Sequence, residues 1–588
     1  MDLVDDFFDS IPWDKLKNQS TKVPISEECR KFLDSFIKKK EPNPNTEAKE
    51  TTTITNCKTQ AHPPASNSVD AGPTKPYFRK LQFPRHSSLT NVDHASYLSA
   101  RYSGQVTSQS LQIFQQLHLL VVAEQKEFNE WLAKEMAGQR PLVNKALLQI
   151  GTSLLASKQD EANLQSSNDT FSLHKELPMK KPATSEVHLK PIQHLCSSGR
   201  VASCQKINEG ANLILQPELN CVKVSSKLRD DKVAEGLACK HFADVILSPG
   251  VVFALINASG KETDVPLTVR IIKDADGRER KLIVMDKPLP AKSLGVYKKM
   301  TWAAKKAAKR EFLSYREKYF DFTKMSVEQC KSDFAQDLVD YSAAKSGHAN
   351  RNHVYSLWCL EHKVASKTAD SAWGRQGCPI NLLVRSQCHG FIEGGPAEPP
   401  RFVQMGVKLE RKPDLGAEAL DLAEFTQDWV SMILRPEALL LRTRVDAKTL
   451  KVVQVEHKDL KVITKEARAK EFDSVATLGA LHSLLSEVMH LQEGRFLLRV
   501  NPKGAVVHVY GPPLPNHTSI NLSLDYKSQD DKLVVEKEHS IQIDPEVVTP
   551  LCLKHQRIPA TFLPRKEPKR YRKSKTRYKK GKKAKLQD

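Results

Sequence analysis

The chain has 588 residues, 40% of them hydrophobic and 27% charged, with a net charge of +21. Length alone suggests three or four domains, but the polar residues lie in blocks, so two or three folded units joined by disordered linkers are expected. No apolar run approaches the about 18 residues of a membrane span, and the eleven cysteines show no CxxC and no pairing rhythm, so free thiols of a reducing compartment are expected instead of a disulfide framework or a common zinc site.

Residues 1–36 open acidic where a secretory signal would be basic. Asp2, Asp5, Asp6, Asp9 and Asp14 alternate with apolar residues. Phe7, Phe8, Ile11 and Trp13 read as a docking segment, kept soluble by the acids and held for a partner's groove. Residues 37–75 are polar and read as linker. A helical region follows over 76–156. Ser108–Met136 carries Leu111, Phe114, Leu117, Val121, Phe128, Trp131 and Leu132 at helical spacing, and Leu142–Leu155 is its expected hairpin partner. Residues 157–235 read as a second linker.

Residues 236–345 read as a hairpin plus basic helix. Leu267–Lys273 and Lys281–Met285 flank the turn Asp274-Ala275-Asp276-Gly277, and Trp302–Tyr319 is the helix. Its Lys305, Lys306, Lys309 and Arg310 are candidates for nucleic-acid contact, weighed against an ordinary solvated face.

The densest apolar patterning lies in a C-terminal α+β domain, 350–515. Asn381–Gln387 and Phe402–Glu410 read as strands. Asp414–Leu434 reads as a helix, with Leu422, Phe425, Trp429 and Met432 on one face. Leu439–Val445 and Leu450–Val455 form a hairpin. A second helix spans Ser474–Gln492, with Leu478, Leu481, Leu485, Val488 and Leu491 in one stripe. A last hairpin turns through Asn501-Pro502-Lys503-Gly504. An antiparallel sheet with two helices packed on it would bury both stripes. Residues 516–560 read as a strand-rich extension.

The tail, 561–588, is intensely basic. Between residues 565 and 585, Arg565, Lys566, Lys569, Arg570, Arg572, Lys573, Lys575, Arg577, Lys579, Lys580, Lys582, Lys583 and Lys585 face a single acid, Glu567. Such density suits nuclear import or weak, non-specific nucleic-acid contact, with Tyr571 and Tyr578 able to stack on bases.

One constellation has enzymatic spacing. Asp446, Glu456 and Lys458 reproduce the D…ExK pattern of restriction-endonuclease-like nucleases, in which acids hold a divalent metal and the lysine orients water; Glu418 or Glu424 would be a further ligand. Against it, chance matches are common in so charged a chain, and an Asp at a hairpin turn is ordinary turn chemistry. No phosphate-binding loop or HExxH is present, and Cys359, Cys378, Cys388 and His389 lack zinc-site spacing. No cofactor, metal or catalytic set is expected.

The blocks resemble a known family on three stretches. They are Pro76–Arg85 (PYFRKLQFPR) leading into His94–Leu132; Val251–Pro288, a strand, Asn-x-Ser-Gly and a hairpin ending Asp-x-Pro; and the C-terminal domain. The last carries Leu357-Trp358, Leu383-Val384-Arg385, Lys408-Leu409-Glu410, Gly416-Ala417-Glu418, Trp429, Asp446-Ala447, Leu491-Gln492-Glu493-Gly494 and Pro502. On these the chain resembles the second-subunit family of the little elongation complex, also named for an NMDA-receptor-regulated gene product. The resemblance implies a non-enzymatic nuclear adaptor supporting RNA polymerase II transcription of small nuclear RNA genes. It implies as partners a large scaffold subunit, an ELL-type elongation factor (eleven-nineteen lysine-rich leukaemia) and the RNA polymerase II machinery, with no membrane. It also implies concentration in nucleoplasm, Cajal bodies and histone locus bodies. The alternatives are the metal-dependent nuclease and a basic RNA-binding protein of the nucleolus or ribosome pathway.

Overall fold

The computed structural model describes residues 81–102, 107–137, 143–165, 170–178, 187–216, 227–256, 262–273, 276–322, 352–362, 378–394, 399–501, 506–513, 519–522 and 541–565. The docking segment, the first linker and the tail from Lys566 onward lie outside them. The chain divides into two compact units. One comprises residues 139–413 and 417–541; the other comprises 2–138, 414–416 and 542–588.

In chain order the described elements begin with α1 (Asn91–Tyr102), α2 (Ser108–Met136), α3 (Lys145–Gln165), β1 (Thr170–Pro178), β2 (Val187–Cys204), α4 (Lys232–Lys240), β3 (Val245–Leu247), α5 (Pro249–Leu255), β4 (Thr263–Lys273), β5 (Glu279–Met285), α6 (Val296–Phe312) and β6 (Leu313–Asp321). There follow β7 (Asn352–His362), β8 (Ile380–Ser386), β9 (Gly390–Ile392), β10 (Arg401–Glu410), α7 (Leu422–Ile433), β11 (Leu439–Asp446), β12 (Val452–Lys458), α8 (Leu460–Ala469), α9 (Ser474–Val488), β13 (Gly494–Asn501), β14 (Val506–Gly511), β15 (Ser519–Asn521) and α10 (Pro550–Lys554).

The larger unit is built on one continuous strand path, β12-β11-β10-β9-β2-β7-β8-β3-β5-β4-β13-β14-β1-β15, with β6 also on β2. The 18-residue β2 belongs to two sheets. Its first part, Val187–Gly199, pairs with β7, and its end, Arg200–Cys204, pairs with β6 and β9. Strand alternation sorts the central residues between two cores. Val245, Leu247, Ile283, Met285, Leu382 and Val384 join one cluster with Phe425, Trp429, Leu481 and Leu485. Ile246, Leu282, Val284 and Leu383 face the other way, onto Val233, Ala234, Leu237 and Ala238 of α4. Side-chain acids start the helices: Asp231 accepts from Ala234 N, Asp421 from Glu424 N, Asp459 from Val462 N and Asp473 from Ala476 N, satisfying donors that a helix start leaves orphaned.

The α+β class expected from the sequence is present, and the face of α9 is as read. Several details need correction. β10 and β11 pair in parallel, because a helix-containing connection returns the chain in the same direction, so the sheet is mixed. The helix read over Asp414–Leu434 begins only at Leu422, capped by Asp421, and Leu422 itself is exposed. The basic helix ends at Phe312, and β6 takes up Leu313–Asp321. The expected linker 157–235 contains the strands β1 and β2 and the end of α3, so its described residues are not merely linker. Strands of 350–515 pair with strands of 187–285, as β13 does with β4 and β8 with β3, so that stretch does not close its sheet by itself. In place of the expected helical hairpin, α2 packs on α1, and α3 packs on α6.

The smaller unit has α1 and α2 at its centre, with the segment 542–565 laid along them. Its buried Glu124 accepts from Ser87 Oγ at 2.9 Å, Ser88 N at 3.0 Å, Ser88 Oγ at 2.7 Å and Phe562 N at 3.0 Å. Four donors allow a carboxylate to be buried without an ion pair. His94 links both ends of the same network: Ile558 N donates to Nδ1 at 3.1 Å, so Nε2 carries the proton and donates to Ser87 Oγ at 3.1 Å. Phe83, Phe128, Trp131 and Phe562 form an aromatic cluster beside it. Of the strand-rich extension expected over 516–560, residues 516–518 and 523–540 lie outside the described residues; the described ones hold β15 and the helix α10.

Candidate functional site

A buried set of charged residues of the larger unit converges on one face of β10, β11 and β12. In strands, residues two apart share a face. Lys408 and Glu410, Arg442 and Arg444, and Glu456 and Lys458 therefore project together. The register sets Lys408 opposite Arg444 and Arg442 opposite Glu456. Arg442, Arg444, Glu410 and Glu418 are almost wholly buried.

Arg444 is the hub. Its Nη1 donates to Glu410 Oε1 at 2.6 Å and to the Glu418 carbonyl at 2.8 Å, and its Nε donates to Glu456 Oε1. Arg442 reaches Asp428 Oδ2 through Nε at 3.0 Å and Nη2 at 2.9 Å, and Glu456 Oε2 through Nη1 at 3.1 Å. Lys458 Nζ lies 2.7 Å from Glu456 Oε2 and also donates to Glu466. Lys408 Nζ donates to Glu424 Oε2 at 2.7 Å, and Arg411 Nε to Glu418 Oε2 at 2.9 Å. Burial disfavours the Glu456 carboxylate, but Arg444, Arg442 and Lys458 outweigh it and hold the group down at about 2. At Glu410 burial prevails over Arg444 and lifts the carboxyl above the usual carboxylate range.

The nuclease constellation is only half assembled. Glu456 and Lys458 meet, but Asp446 caps its own turn, accepting from Lys448 N at 2.9 Å and Thr449 Oγ1 at 2.6 Å. Glu456 lies opposite Arg442, four residues from Asp446 along β11, which is about 13 Å of strand. The proposed extra ligands Glu418 and Glu424 are bound by Arg411 and Lys408. A divalent ion needs carboxylate oxygens free of protein cations, and here guanidinium and ammonium groups stand between them. Among the described residues no three His, Cys, Asp or Glu side chains are grouped to hold a metal.

The cysteines and the basic helix resolve into separate environments. Cys388 is buried, Cys378 is exposed, and Cys359 Sγ donates to Glu361. His389 Nδ1 accepts from Met405 N at 2.8 Å. Of the four candidate basic residues on α6, Arg310 is exposed while Lys305, Lys306 and Lys309 are half-buried, so the helix is not the solvated face considered above. Arg565 is exposed, with its N–H on the Leu89 carbonyl. The alternating Lys-x-Glu, Arg-x-Arg and Glu-x-Lys of the three strands was the signal that could have revealed the buried network. Period-two charge in strands otherwise rich in Val and Leu places charges on a single face.

Residues 343–564 match the family model described as NMDA receptor-regulated gene protein 2 C-terminus. The chain is similar to little elongation complex subunit 2 of Mus musculus and of Homo sapiens, 24% identical over 245 residues in each case. That alignment covers 40% of this chain and 22% of either relative. Among solved structures, Rai1 of S. pombe superposes with a TM-score of 0.36 at 9% identity, covering 58% of this chain and 99% of that one. Dxo1 of K. lactis gives 0.32 at 8%, covering 60% and 99%. Superpositions as loose as these say nothing about chemistry.

Proposed function

From a chain whose residues 343–564 belong to the NMDA receptor-regulated gene protein 2 C-terminal family, we propose a non-enzymatic adaptor subunit of a little elongation complex. In this reading it acts in the nucleus, in nucleoplasm, Cajal bodies and histone locus bodies. It supports RNA polymerase II transcription of small nuclear RNA genes by joining a large scaffold subunit to an ELL-type elongation factor.

The family match over 343–564 carries the proposal. The engagement of Glu456 by three cations supports a role without a metal-dependent step. Phe7, Phe8, Ile11 and Trp13 supply a docking segment, and the basic tail an import signal. The test is a tagged pull-down of the full chain from nuclear extract with nuclease added, read by mass spectrometry. Nuclease strips partners held only through nucleic acid on the tail. Retention of the scaffold subunit and the elongation factor is expected. Their absence, with only RNA-tethered proteins captured before treatment, would overturn the adaptor in favour of a basic RNA-binding protein.

A further inference from the structure

The face of α6 that carries Trp302, Lys305 and Lys309 forms a second charged site, with a balance opposite to that of the strand network. The opposite face, Ala303, Ala304, Ala307 and Ala308, is buried, and α3 comes so close that a Cβ on Gly151 would lie 2.2 Å from the Lys299 carbonyl oxygen. That packing fixes the direction of the lysine stripe.

Lys309 Nζ stands 2.6 Å from His389 Nε2. Met405 N–H donates to His389 Nδ1, so a neutral imidazole carries its one proton on Nε2. The contact is then a hydrogen bond only if Lys309 accepts, and only an unprotonated amine can accept. The surroundings favour that state. Burial, then repulsion from Lys305, Arg435, Lys158 and Lys287, pushes Lys309 well below the usual lysine range. Burial, with Lys309, Lys305 and Arg435, does the same to His389. Burial brings Lys158 to about 8 and Arg435 to about 10. Cys388, beside Arg435, is kept a neutral thiol by burial, at about 11.

The carboxylates coupled to these lysines are Asp428, whose Oδ2 already accepts twice from Arg442, and Glu161, and the adjoining cavity is also lined by Glu262, Asp264, Asp286, Asp421 and Glu424. Arg435 Nε is shielded from solvent with no hydrogen-bond acceptor. A guanidinium N–H so placed is a donor awaiting an anion. Of this neighbourhood Lys158, Lys287 and Trp302, but not Lys305, Lys309 or Arg435, line an adjoining cavity of about 710 Å³, with Lys158 Nζ 3.9 Å from the centre of the indole ring. That volume lies within the range of small-ligand sites.

We propose that Lys158, Lys305, Lys309 and Arg435 bind a di- or triphosphate group, free or carried by a nucleoside. The phosphates face the lysine stripe, Arg435 Nε gains its acceptor, and the arriving anion draws a proton onto Lys309. In the nucleoside form the remainder of the ligand occupies the cavity beside Trp302.

The test is calorimetric titration of the full chain with pyrophosphate and, separately, with ATP, in two buffers of different ionisation heat at pH 7.5. Binding with uptake of about one proton is expected from a site holding one neutral lysine. Lys309→Gln should weaken binding at least tenfold and abolish the uptake, while Arg435→Gln should weaken it at least tenfold and keep the uptake. Binding to the basic tail is common to all variants and cancels in the comparison. Affinity for ATP tenfold above that for pyrophosphate assigns the cavity to a nucleoside; equal affinities assign free pyrophosphate. Should Lys309→Gln fail to fold, Arg435→Gln decides. Absence of binding at millimolar ligand, or affinities unchanged in both variants, overturns the proposal.

Discussion

Arg444 joins three strands through one guanidinium, and its loss should be felt as a buried charge defect. Arg444→Met would leave Glu410 and Glu456 without their shared donor in a site closed to water. Breaking a buried pair on one side costs roughly 3–5 kcal/mol, well above the cost of losing a surface ion pair. Urea denaturation should show that loss for the larger unit; a change below about 1 kcal/mol would mean that the carboxylates find other partners or protonate cheaply. Two residues set opposite ends of the acid response. Glu456 is held below its ordinary value of 4.5, so its contribution is full above pH 4.5 and fades as pH falls toward 2, on the order of 3 kcal/mol. In the smaller unit, burial and Arg557 hold His94 down at about 4 against an ordinary 6.5. Its contribution is full above pH 6.5 and is lost as pH falls through 6.5 toward 4. Hydrogen exchange at pH 5 should therefore loosen the amide of Ile558, which donates to His94, before those of β11. Simultaneous loosening would contradict these assignments.

At the level of elements, the α3–α6 contact is set by a missing side chain. Gly151→Ala would drive a methyl group into the Lys299 backbone, which cannot swing away as a side-chain end can. Overpacking of this kind costs about 1–3 kcal/mol, and a lower melting temperature should report it. An unchanged melting temperature would show that the two helices can slide apart freely. The elements also show what the residues disclosed in advance. Leu478, Leu481, Leu485, Val488 and Leu491 are buried as their spacing indicated, because a helix with one apolar stripe has one way to face a core. Phe425, Trp429 and Met432 behave likewise. Leu422 does not: Asp421 caps the helix there, and the first turn points outward. The strands of 170–178 and 187–204 fall in a stretch that reads as linker because Ser, Lys, Gln and Asn dominate it as a whole. Their pairing comes from partners far away in the chain, which local composition does not record. The nuclease-like spacing was legible, but its electrostatics were not, since Arg442 and Arg444 lie on another strand and neutralise Glu456 only once β11 and β12 are paired.

For the whole molecule, function rests on segments attached to these units as much as on the units themselves. If the tail carries the chain into the nucleus, removing Arg565 to Lys585 takes away thirteen cations and one acid and should lower nuclear accumulation several-fold in cell imaging, with the fold intact. Unchanged nuclear levels would remove the import role.

The sheet of the larger unit closes late in synthesis. Arg499 on β13 completes its bidentate pair with Asp264 on β4 only when 235 further residues have been made. In the smaller unit, Phe562 reaches Glu124 across a separation of 438. At about 5–20 residues per second, the first interval leaves β4 without that neighbour for roughly 12–47 s on the ribosome. During that time an unpaired, Val- and Ile-rich strand edge must be shielded. The nascent chain is thus a predicted client of ribosome-bound chaperones, and a stop codon even shortly before residue 494 would leave most of the earlier strands made but their sheet open.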